Sequence, residues 1–95
     1  MPLNPVSDNL TSNGDTTAEI YPTGGVAHWL CTGTFSSGTL KAEFSPDDGT
    51  TWFTESNTNY HVTDVGMLSY PVPPKFKTRL TLSGASSPNI TIYRP

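Results

Sequence analysis

Asp47 and Asp48 stand side by side in the stretch FSPDDGTTW (44–52), and paired carboxylates can hold a cation or move a proton. A calcium loop needs further oxygen ligands at regular spacing, and none follow within this loop. A glycosidase pair needs its carboxyl groups about 5–9.5 Å apart across a cleft, whereas adjacent loop residues splay into water. Turn chemistry accounts for the same letters more simply. Pro46 presets φ for a first corner, and Asp48-Gly49 tolerates positive φ. The Ser45 and Asp47 side chains can accept hydrogen bonds from nearby backbone N–H groups, as in Asx-turns. Pro46, Asp47, Asp48 and Gly49 are therefore expected to form a hairpin corner.

The other candidate groups are scattered. His28 and His61 fall on different strands with no Cys or Asp at ligand spacing. The single cysteine, Cys31, excludes an internal disulfide and a thiolate-rich metal site, and its strand position suggests a buried small hydrophobe. No nucleophile elbow, phosphate-binding glycine loop or CxxC pair occurs. Without a convergent acid, base and nucleophile, the chain is expected not to be an enzyme and to need neither metal nor cofactor. Lys75, Lys77 and Arg79 form an alternating basic row, a candidate partner-binding surface for phosphates or an acidic neighbour. The same row can instead pair with acidic side chains across a sheet. Trp29, Trp52, Tyr60 and Tyr70 offer rings for stacking on sugars. Trp29 and Trp52 read first as core anchors, together with Phe44, Leu80 and Leu82.

These side chains need elements to hold them, and the patterning is that of strands. AHWLCTG (27–33) sets Ala27, Trp29 and Cys31 against His28, Leu30 and Thr32. TLKAEF (39–44) alternates Leu40, Ala42 and Phe44 with Lys41 and Glu43. KFKTRLTLSG (75–84) puts Phe76, Thr78, Leu80 and Leu82 on one face and the basic row on the other. Further short strands are expected at 17–21, 51–55, 60–65, 67–72 and 89–93, with Pro71 marking an edge or a strand end. No window shows a helical period. The expectation is an all-β fold, a small antiparallel β-sandwich or jelly-roll-like barrel of seven to eight short strands. Residues 1–15, with two prolines and three asparagines, are expected to be an irregular arm that orders on a neighbour, leaving 16–95 as the single domain.

Composition agrees with many turns and a thin core. Serine and threonine supply 25 residues and proline nine, while hydrophobic residues make up 34%. A chain of 95 residues gains stability from a partner, because small domains bury a smaller share of their surface. Charge is lopsided. All eight acidic residues lie at or before Asp64, and four of the five basic ones follow it. The net charge of −3 argues against a dedicated nucleic-acid binder. The N-terminus lacks the basic and apolar regions of a secretory signal, and no apolar run reaches the ~20 residues that span a bilayer. A soluble protein of a reducing compartment, without nucleic acid or membrane, is expected.

The run WLCTGTFSSGTLKAEFSPDDGTTW (29–52), followed by RLTLSGASSPNITI (79–92), resembles small structural proteins encoded in tailed-phage virion gene clusters. Asp48 stands where that family often has glycine. The resemblance implies a non-catalytic virion protein, either a capsid decoration (cement) protein or a head or tail accessory. Its implied partners are the major capsid protein or other virion proteins. It also implies assembly in the host cytoplasm and, by analogy, a homotrimer. It carries over no functional residues. The competing expectation is a carbohydrate-binding or adaptor module of a phage tail or fibre.

Overall fold

Alternating apolar and polar residues decide which side of each strand is buried, and the chain follows that alternation closely. The computed structural model describes residues 6–20 and 25–94. Its strands are β1 (Val6–Leu10), β2 (Val26–Thr34), β3 (Thr39–Ser45), β4 (Phe53–Thr54), β5 (His61–Val62), β6 (Gly66–Pro71), β7 (Lys77–Ser83) and β8 (Asn89–Arg94). A 3-10 turn, Thr58–Tyr60, precedes β5 and is capped by the Asn57 side chain, which accepts from the Asn59 N–H.

Two four-stranded antiparallel sheets result. The first runs β1-β8-β2-β6. The second is built on β3, which pairs with β7 from Thr39↔Ser83 to Ser45↔Lys77. A strand has two edges, so β4 and β5 share the other one, opposite Phe44 and Leu40 respectively. The inner faces close on one core. Leu10, Ala27, Trp29, Cys31, Leu68, Tyr70, Ile90 and Ile92 come from the first sheet, and Leu40, Ala42, Leu80 and Leu82 from the second. Each large apolar side chain so buried contributes about 1.5–3 kcal/mol. The architecture is an all-β sandwich. Pro71 ends β6, the edge strand of the first sheet.

The N-terminal segment differs from expectation. Residues 6–10 are not an irregular arm but β1, paired with β8 in register from Val6↔Arg94 to Leu10↔Ile90. Leu10 enters the core, and Asp8 Oδ2 lies 3.3 Å from Arg94 Nε. The chain then crosses to the second sheet. Gly14, Thr17 and Ile20 N–H groups donate to the Leu82, Leu80 and Thr78 carbonyls at 2.7, 3.0 and 3.0 Å. This covers the otherwise open edge of β7. The expected strand at 17–21 is reduced to isolated bridges at Thr16 and Ile20, and its last residue lies outside the described residues. Residues 1–5 of the expected arm lie outside them too.

β2 and β8 approach unusually closely at Gly33. With φ +105, a Cβ there would stand 2.2 Å from the Asn89 carbonyl oxygen. Only glycine fits that crossing.

Candidate functional site

The Asp47-Asp48 corner is a hairpin between β3 and β4, with Phe44 opposite Phe53. Asp47 Oδ1 accepts from the Thr51 N–H at 2.7 Å and from the Ser45 hydroxyl at 2.8 Å. These bonds, led by that from Thr51, hold its carboxyl below the ordinary value of 3.8. The Ser45 oxygen in turn accepts from the Gly49 N–H at 2.8 Å. Asp48 and Gly49 both take positive φ, at 63 and 89. The Asp48 carboxylate points away from Asp47 to Lys77 Nζ, 2.9 Å distant, and Glu19 approaches the same ammonium at 3.5 Å. That contact with Asp48 raises the Lys77 pKa. Both aspartates are thus occupied in positioning the loop. Among the described residues no group of three or more His, Cys, Asp or Glu converges as metal ligands would.

The basic row is only partly a row. Arg79 Nε donates to Glu43 Oε1 at 2.7 Å, directly across the β3–β7 ladder. Lys77 is held by Asp48 and Glu19. Lys75 lies outside β7, in a turn with φ 69, and does not share the strand face. The positive φ breaks the two-residue alternation on which the row depended.

The aromatic residues divide differently from the expectation. Trp29 is fully buried as a core anchor, with Leu80 and Leu82 beside it in the core. Phe44 is half-buried against that core. Trp52 is not a core anchor. It has the parity of Thr54, which sits opposite Glu43 on the outer face, so its ring lies outside under the Arg79 guanidinium, 4.1 Å from the centroid. The candidate sugar-stacking set is broken up accordingly. Trp29 and Tyr70 are buried, Trp52 is covered by Arg79 on one face, and Tyr60 stacks on Tyr70 at 5.2 Å.

The histidines and the cysteine have local duties. His28 Nδ1 lies 2.9 Å from Ser69 Oγ, its cross-strand neighbour. His61 Nε2 is 2.9 Å from the Glu55 carbonyl, which can only accept, so that nitrogen carries the proton. Cys31 is buried, and burial pushes its thiol up to about 11, which leaves it a packing residue at neutral pH.

Two surfaces remain that sequence reasoning did not single out. The first is the outer face of the β1-β8-β2-β6 sheet. Alternation places on it Ser7 and Asn9, Asn89, Thr91 and Tyr93, Val26, His28, Leu30, Thr32 and Thr34, and Met67, Ser69 and Pro71. None of these is an Asp, Glu, Lys or Arg. Leu30 stands opposite Tyr93 on one side and Met67 on the other, making an apolar row across three strands. Met67 is 61% exposed, and Val65 and Val26 are also open to solvent. The outer face of the second sheet is the opposite in character, carrying Lys41, Glu43, Lys77 and Arg79.

The second surface is a groove of about 450 Å³ at the edge where β6 overlies the 3-10 turn, lined by Phe44, Glu55, Tyr60, Pro71, Val72, Pro73 and Phe76. Phe44 meets Tyr60 and Tyr70 edge-on, with centroids at 6.2 and 5.6 Å. Five separate stretches of chain supply this lining, so no contiguous motif announces it.

Neither the protein-family models, the curated proteins nor the solved structures yield a match to this chain.

Proposed function

We propose that the chain is a non-enzymatic structural subunit of a tailed-phage virion, a capsid decoration protein that stabilises the shell by binding capsid subunits. The observation that supports this reading is the uncharged outer face of the first sheet with its Tyr93–Leu30–Met67 row. Interface cores are depleted of charge and enriched in aromatic residues and methionine, and a sheet face of this kind can bury flat against a neighbour. The carboxylates support it as well, because Asp47 and Asp48 fix a turn and Glu43 holds Arg79. A small sandwich gains stability when such a face is covered. Three copies about a threefold axis are the assembly we propose, by analogy with decoration proteins of this size.

Co-sedimentation of the purified chain with expanded capsids and, separately, tails of the encoding phage tests this reading. Saturable binding to capsids, with a fixed number of copies per particle, is the expected result. Binding to tails alone would transfer the role to a tail accessory, and binding to neither would refute a virion role.

A further inference from the structure

The groove between β6 and the 3-10 turn combines three aromatic rings with one carboxylate. Phe44, Tyr60 and Phe76 supply the rings, and Val72, Pro71 and Pro73 complete an apolar wall. Glu55 is the one acidic or basic side chain among the described lining residues. Its Oε1 accepts from the Asn57 N–H at 3.0 Å, and none of the ion pairs among the described residues involves it. Rings and carboxylate together suit a cation on an apolar stem: the rings attract the charge through their π faces and the carboxylate pairs with it.

The groove also adjoins a free strand edge. β6 lies at the end of its sheet, and β2 is its one ladder partner among the described residues. The far side of Gly66–Tyr70 therefore offers unpaired backbone groups, the template that an extended peptide completes by strand addition. Pro71, the last residue of β6, has no N–H to offer an added strand where the groove begins. A strand laid along β6 turns alternate side chains toward the interior edge of the sandwich, where the groove opens.

We infer that this edge is a peptide-binding site, taking an extended segment of a partner protein whose lysine or arginine side chain enters the groove and pairs with Glu55. The apolar stem lies against Val72 and Phe76, and the backbone pairs with β6. This edge borders the uncharged sheet face and shares Pro71 with it, and the inference does not depend on the partner being a capsid subunit.

Amide NMR of the isotope-labelled full chain tests it, with acetyl-Val-Thr-Lys-Thr-Val-amide as the probe and its norleucine analogue as the uncharged control. The lysine peptide is expected to shift Gly66–Tyr70 together with Tyr60, Val72 and Phe76. It should bind about fivefold or more tighter than the norleucine peptide, a ratio in the range of one cation–π or ion-pair contact. Glu55→Gln should reduce that preference, leaving the part that the rings supply, while the norleucine peptide binds unchanged. Equal binding of the two peptides, an unaltered preference in Glu55→Gln, or no shift at about 5 mM peptide, near the limit of a weak interaction, would each overturn the inference. Tetramethylammonium provides a separate arm. If it shifts the groove residues and the peptides leave β6 untouched, the site takes a free cation and strand addition is wrong.

Discussion

The hydroxyls of Tyr70 and Thr78 meet at 2.7 Å between the two sheets, Tyr70 on β6 and Thr78 on β7. The bond is the middle of a buried relay whose direction is determined by its ends. Trp29 Nε1 can only donate, and it reaches the Tyr70 oxygen at 3.1 Å. The Thr78 hydroxyl donates to the Glu43 carbonyl at 2.9 Å, which leaves its oxygen to accept from Tyr70. Each polar atom of the relay is satisfied inside an apolar core, so the relay specifies how the sheets face each other. Burial pushes the Tyr70 hydroxyl up to about 12, and it remains a neutral donor at physiological pH.

Breaking the relay should therefore cost more than removing a surface hydroxyl. Tyr70→Phe strands the Trp29 N–H, and Thr78→Val strands the Tyr70 hydroxyl, each at about 1–3 kcal/mol in urea unfolding. The double variant should cost less than the two singles together, with a coupling of at least about 0.5 kcal/mol. Additive costs would show that the hydroxyls do not act together.

The two tryptophans should separate sharply. Trp29→Ala opens a core cavity and should cost about 3–5 kcal/mol. Trp52→Ala loses a half-buried ring and its contact with Arg79, worth about 1 kcal/mol by comparison with other exposed cation–π pairs. Thermal denaturation of the two variants compares them directly, and equal losses would contradict the placement of Trp52 outside the core.

What the sequence discloses and what it hides follows from the range over which each feature is determined. Alternation over five or more residues identified the buried faces of β2, β3 and β7, because Trp29, Leu40, Leu80 and Leu82 recur at every second position. β1 was missed because VSDNL shows no run of alternating apolar residues and owes its strand to pairing with β8. Trp52 was misplaced because hydrophobicity alone ignores parity, and the turn length after Ser45 puts it on the Glu43 side. Lys75 left the basic row through one positive φ that composition does not reveal. The hairpin corner was legible, since Pro46, Asp47, Asp48 and Gly49 act within a few residues of one another. The groove was not, as its lining assembles only when β3, β6 and the 3-10 turn meet.

Asp47 gives the fold a pH dependence of definite sign. Its carboxyl is held below the ordinary value of 3.8 in the folded chain, first by the Thr51 N–H. A depressed folded pKa stabilises the native state above the unfolded pKa, and that stability is lost as pH falls through the folded value. The difference in melting temperature between the native chain and Asp47→Asn should be full at neutral pH and shrink below about pH 4, where the unfolded carboxyl titrates. A difference that stays constant through that range would contradict a role for the charged form.

The uncharged face of the first sheet carries the central claim, and counting bound copies per expanded capsid tests it most directly. The native chain should bind at a fixed copy number. Met67→Lys, a change on an exposed side chain of that face, should lower occupancy about tenfold or more at a fixed free concentration, as expected for a charge placed in a desolvated contact. Lys41→Glu, on the outer face of the opposite sheet, should leave occupancy unchanged. Undiminished binding by Met67→Lys, or its loss in Lys41→Glu alone, would contradict docking through the β1-β8-β2-β6 face.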